Sequence, residues 1–125
     1  MKFIRLLPIT IFLLINYLSM CQEKNDEIIL HGPLIRISLN EQTDVSLENC
    51  ADGGYFWFIA QYDTTKIILL DSSRITKYPN RTGSPQIQSW TFKGIDKGES
   101  QLVFYYKRPW LDDIERKQYY TVLVE

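Results

Sequence analysis

Leu102-Val103-Phe104-Tyr105-Tyr106-Lys107 runs straight into Arg108-Pro109-Trp110, and this join decides the fold. Aromatic and β-branched residues favour strands. Pro ends one, because it has no N–H for the ladder and a fixed φ. A strand therefore closes near Lys107 and a charged loop through Asp112 and Asp113 follows. Arg and Trp, the residue types most enriched at binding hot spots, leave that strand on either side of a stiff Pro.

The same pattern repeats outward from this stretch. Trp90 and Phe92 flank Thr91, and Ile35-Arg36-Ile37-Ser38-Leu39 alternates with period two, as a strand with one buried face must. Turn chemistry separates such runs at Asn40-Glu41, Asp52-Gly53-Gly54, Pro79-Asn80, Gly83-Ser84-Pro85 and Lys97-Gly98. The spacing predicts strands over residues 28–31, 34–39, 44–47, 55–62, 66–71, 87–93, 101–106 and 118–124. No segment carries helical periodicity with caps. Seven or eight short strands over about 100 residues predict an all-β protein, an antiparallel β-sandwich. Trp57 and Trp90 lie inside strands and belong to its core.

The 125 residues suffice for one small domain, and 14% of them are aromatic, which agrees with a β-rich fold. Fourteen basic and 15 acidic residues nearly cancel, so there is no electrostatic footprint for nucleic acid.

The N-terminus reads as an export signal over residues 1–21. Lys2 and Arg5 form a positive start, and no residue from Leu6 to Gln22 is charged. That run falls short of the roughly 20 residues of a membrane span and is interrupted by Pro8 and Asn16. It fits a signal peptide better than a retained anchor. Two processing routes stand. Ser19-Met20-Cys21 suits cleavage before Gln22, whereas Leu18-Ser19-Met20-Cys21 is a degenerate lipobox that would lipidate Cys21. Membrane contact follows only from the second route; otherwise the protein is secreted, periplasmic or held in a lysosomal or vesicle lumen. Residues 22–27 are a polar linker and residues 28–125 the domain. Both routes leave Cys50 without an intramolecular partner, so it is either a small buried filler or an exposed thiol. Asn80-Arg81-Thr82 fits the N-glycosylation sequon.

Nothing points to an enzyme. His31 is the only His, so no second His supports a metal site. A Cys50–His31 pair lacks an orienting third group. No phosphate-binding Gly loop or spaced carboxylate pair occurs, and no cofactor is expected.

Over residues 28–125 the chain resembles the chagasin-type (I42 family) inhibitors of papain-like cysteine proteases. In that family three loops at one end of an Ig-like sandwich form a wedge. The third family loop carries R-P-W, present here as Arg108-Pro109-Trp110. The second begins G-x-G-G; here Gly83-Ser84-Pro85-Gln86 keeps the first Gly, and Trp90-Thr91-Phe92-Lys93 matches the strand that follows. The first reads N-P-T-T-G-Y-x-W. Gly54, Tyr55 and Trp57 match its end, while Cys50-Ala51-Asp52-Gly53 stands in place of N-P-T-T.

The resemblance implies an Ig-like antiparallel sandwich and a monomer whose partner is a papain-like cysteine protease. It implies protease contact through Cys50, Ala51, Asp52, Gly53, Gly54, Gly83, Ser84, Pro85, Gln86, Arg108, Pro109 and Trp110. Asp52, where the family has a neutral Thr, would pair with the protease imidazolium or repel its thiolate. An exposed Cys50 thiol beside that thiolate would allow a mixed disulfide. The altered first and second loops keep a second reading open: an Ig-like surface or envelope binding module that has lost inhibition.

Overall fold

The computed structural model describes residues 27–50 and 52–125. The expected leader, Cys21, most of the linker and Ala51 lie outside them. Eight strands follow one another: β1 (Ile28–His31), β2 (Ile35–Ile37), β3 (Gln42–Asn49), β4 (Phe56–Gln61), β5 (Ile67–Thr76), β6 (Gln86–Gly94), β7 (Gly98–Lys107) and β8 (Arg116–Val124). A 3₁₀ turn, Asp52–Gly54, joins β3 to β4. Each expected strand is present; β1 keeps its expected bounds and the other seven differ at one end or both.

The strands form two sheets. One has the order β1-β8-β7-β4, with β2 also on β8; the other has the order β3-β6-β5. Period-two alternation drives Trp90 and Phe92 of β6 inward against Leu102, Phe104 and Tyr106 of β7. Trp57 closes one flank of that core, and Ile37, Val122 and Val124 close the other. Trp90 and Phe104 sit 4.5 Å apart between ring centroids. Phe92, Phe104, Leu102 and Ile67 are wholly buried, and burying one such side chain stabilises by about 1.5–3 kcal/mol.

Two strands depart from antiparallel pairing. β1 and β2 both run parallel to β8, with Ile28 opposite Arg116 and Ile37 opposite Val124. The expected strand over residues 34–39 shrinks to three residues. Pro33 cannot donate to a ladder, and a β-carbon on Gly32 would run into the Tyr120 ring, so pairing along β8 is interrupted between β1 and β2. Asn40 then turns at φ 70°. β5 runs five residues beyond its expected end at Asp71, with a register shift between Leu69 and Asp71. The added residues are exposed, as an edge strand that leaves polar side chains in water allows.

The register sets the three loops at one end. Asn49 pairs with Gln86, Thr76 with Gln86, Phe56 with Lys107 and Tyr106 with Arg116. Residues 50–55 (loop 1), 77–85 (loop 2) and 108–115 (loop 3) therefore leave the sandwich together.

Candidate functional site

The floor under the loops is a buried amide network. Asn49 is 1% exposed and donates from Nδ2 to Gln88 Oε1 at 2.9 Å. Gln88 Oε1 also accepts the Trp57 N–H at 2.9 Å, and Gln88 Nε2 donates to the Trp57 carbonyl at 3.0 Å. Trp57 Nε1 donates to the Glu48 carbonyl. Buried polar groups paired this way fix the geometry around them, so the ends of β3, β4 and β6 are held as one.

Loop 1 rises from that floor. The Cys50 N–H donates to the Tyr106 hydroxyl at 3.1 Å. Burial pushes the Tyr106 phenol above its ordinary value of 10.0 and the Cys50 N–H opposes the shift. Gly53 and Gly54 both take left-handed φ, 79° and 77°, which glycine adopts at no steric cost. Loop 1 is thereby a tight turn instead of an extended strand.

Loop 3 clamps it. Arg108 Nε donates to the Gly53 carbonyl at 2.7 Å, and its guanidinium lies 4.6 Å from the Tyr55 ring centroid. Tyr55 stacks on Tyr106 at 5.3 Å, and Tyr106 leans on Trp57 at 4.8 Å. A column of Arg108, Tyr55, Tyr106 and Trp57 thus ties both loops to the core. Within loop 3, the Leu111 N–H donates to the Arg108 carbonyl, and Lys107 Nζ donates to the Leu111 carbonyl. Trp110 is 68% exposed, while its indole edge covers the Gly54 Cα. The chain's other two tryptophans are 4% and 6% exposed, so Trp110 is displayed and not packed.

A sequence model of the chagasin family, peptidase inhibitor I42, matches residues 36–124. The chain belongs to the chagasin family. The cysteine protease inhibitor EhICP2 from Entamoeba histolytica has a similar structure, with TM-score 0.65 and 25% identity over 79% of this chain and 96% of that one. PbICP-C, solved in complex with falcipain-2, superposes with TM-score 0.64 at 17% identity, over 83% of this chain and 93% of its own. Amebosin, solved in solution, gives TM-score 0.61 at 20% identity, over 81% and 100%. These last two likenesses concern the fold. No curated protein matches the chain.

On this chagasin-family frame the expected site residues separate into three groups. Gly53, Gly54, Arg108, Pro109 and Trp110 form one unit across loops 1 and 3. Loop 2 stands apart from it. Its Gly83 takes φ 71°, Ser84 is 7% exposed and its hydroxyl accepts the Tyr78 N–H at 2.8 Å. The Pro85 carbonyl accepts the Lys77 N–H, and Gln86 already belongs to β6. Ser84 therefore shapes the loop from below, and the exposed tip is Tyr78 to Thr82.

Cys50 forms the third group and requires a correction. It is disulfide-bonded, not the unpartnered thiol expected; its partner lies outside the described residues. The expectation assumed that processing always removes or acylates Cys21, which the sequence does not compel. With the bond intact, Cys50 offers no thiol for a mixed disulfide.

Sequence reasoning missed Tyr55 and Tyr106 as the pillar beneath the loops, and Tyr78 with Arg81 as the tip of loop 2. A signal for the tip was present: an aromatic residue beside Pro79-Asn80 in a cationic run.

Proposed function

We propose that this chagasin-family protein is an exported, reversible inhibitor of papain-like cysteine proteases that fills the active-site cleft with loops 1, 2 and 3. The observation that carries the reading is Trp110, an exposed indole held over the left-handed turn of loop 1. Similarity to a structure solved with falcipain-2 supports the partner class, and the uncharged run after Lys2 and Arg5 supports export.

The physics of the loop end suits occlusion. A specific interface buries about 800 Å² per partner, and loops already ordered lose less entropy on docking. Gly53 and Gly54 bring bare backbone toward a nucleophile, and their φ values keep loop 1 out of the extended form that a protease cleaves. Trp110 supplies an apolar anchor. Arg108, whose Nε holds Gly53, positions loop 1. The protein acts as a monomer and performs no catalysis of its own.

Titrating papain and a cathepsin L-type protease with the purified protein, while following substrate hydrolysis, tests the reading. Nanomolar reversible inhibition with the protein left uncut supports it. A folded protein that inhibits neither enzyme at micromolar concentration overturns it. That outcome would favour a binding module with a new partner, the reading to which the departures of loop 2 from G-x-G-G belong.

A further inference from the structure

Loop 2 has a chemistry of its own. Over residues 77–81 it borders an open hollow of about 260 Å³ lined by Lys77, Tyr78, Pro79, Asn80 and Arg81. Both cations gather on one ring: Arg81 lies 5.1 Å and Lys77 Nζ 5.7 Å from the Tyr78 ring centroid. The loop is held in this shape from below, by Ser84 on Tyr78, Pro85 on Lys77 and the Tyr78 carbonyl on the Arg81 N–H. Lys77 reaches back to Glu48 at 3.2 Å, while among the described residues no carboxylate pairs with Arg81. Loop 3, across the same end, presents Asp112 and Asp113 to solvent.

From this we infer that loop 2 is a carboxylate receptor, taking an Asp or Glu side chain from the cleft rim of the proteases this chain inhibits. The inference rests on the inhibitor reading above and adds to it which residues choose the protease. A guanidinium preheld on an aromatic face keeps its fork free for two parallel hydrogen bonds to a carboxylate. The Lys77 ammonium is already paired with Glu48, so the net charge offered to a carboxylate is that of Arg81. The acidic side of loop 3 disfavours the reverse orientation, so the two shoulders together fix how the loops enter the cleft. The sequon residue Asn80 lines the same hollow, so a glycan there and a rim carboxylate would compete for one place.

The test is the association rate constant for papain and a cathepsin L-type protease, measured from progress curves over a series of NaCl concentrations. Rim charges act mainly on association and on its salt dependence. Lys77→Glu combined with Arg81→Glu is expected to slow association by about ten-fold at low salt and to flatten its dependence on salt. Lys97→Glu, at the far end of the sandwich, should leave both unchanged while carrying the same kind of charge reversal. Circular dichroism checks that the variants are folded. If the parent protein inhibits and the loop 2 reversal matches it in rate and salt dependence, the carboxylate receptor is wrong and the inhibitor reading survives. If the parent inhibits neither enzyme, both fall together.

Discussion

Gly54 and Trp110 meet so closely that any side chain at position 54 would collide with the indole. A β-carbon on Gly54 would come within 2.5 Å of Trp110 Cη2, on a backbone already at φ 77°. The indole therefore rests on loop 1 only because position 54 lacks a side chain. Gly54→Ala is expected to destabilise by more than the ~1 kcal/mol of left-handed strain alone, lowering the melting temperature by at least about 4 °C. It should weaken protease binding further, because Trp110 must swing away. Calorimetry and an inhibition constant measured on one sample check both effects.

Trp110→Ala separates display from packing. Losing an exposed anchor is expected to cost about 2 kcal/mol of binding, roughly 30-fold in the inhibition constant, with the melting temperature nearly unmoved. A variant that unfolds instead would show that the indole is structural and would remove the main support for the three-loop reading.

Arg108 is expected to act through loop 1. Arg108→Ala removes the hydrogen bond to Gly53 and the cation on Tyr55, so loop 1 gains freedom to become extended. The expected outcome is slow cleavage within residues 50–54 during incubation with protease, read by mass spectrometry. Arg108→Lys should be cut as well, since an ammonium cannot stack and donate from a planar fork at once. Intact loops in both variants would refute the latch.

In the chain that keeps Cys21, Cys50 should be silent to a thiol reagent when unfolded without reductant and react only after reduction. A thiol titrating before reduction would contradict the bonded state. The experiment also asks whether the bond matters for loop 1: reduction should weaken inhibition if the bond restrains Cys50 beside the Tyr106 hydroxyl.

One buried and one partly buried phenol give the fold an alkaline limit. Desolvation raises both Tyr106 and Tyr120 above the ordinary 10.0. The folded state then holds these protons more tightly than the unfolded chain, so their contribution is complete below pH 10 and lost as pH rises through the folded values. Urea midpoints should be flat with respect to these groups from pH 6 to about 9 and fall above about 10. Tyr120→Phe should show a shallower alkaline fall than the parent. Equal slopes would mean that Tyr120 takes no part.

The sandwich was legible where one face of a strand is buried and the other wet. Trp90-Thr91-Phe92 and Ile35-Arg36-Ile37 show that alternation plainly, and the turn residues between runs divided the chain correctly. β5 was legible only to Asp71, because its second half is an edge with little to bury and therefore no pattern. The direction of β1 and β2 was not legible either. Strands joined to their neighbour through the whole length of the domain can pair either way, and local sequence carries no record of the choice. Within the site, Arg-Pro-Trp announced loop 3, and Gly-Gly announced a turn. Their union did not show, since the Arg108–Gly53 bond links residues 55 positions apart. The bonded state of Cys50 was hidden for a different reason: it depends on how the leader is processed.

The parallel course of β1 along β8 fixes where the molecule can be held. Ile28 enters beside Arg116 at the loop end, tied by its N–H to the Glu115 carbonyl, with Glu27 on Lys117 at 2.9 Å. Glu125 leaves at the opposite pole, bonded to Ile37 and Leu39. A short tether on the N-terminal side, such as a link to a bead, turns the loops toward the surface that carries it. A tether at Glu125 turns them outward, so immobilised protein should capture protease in one orientation and be hindered in the other.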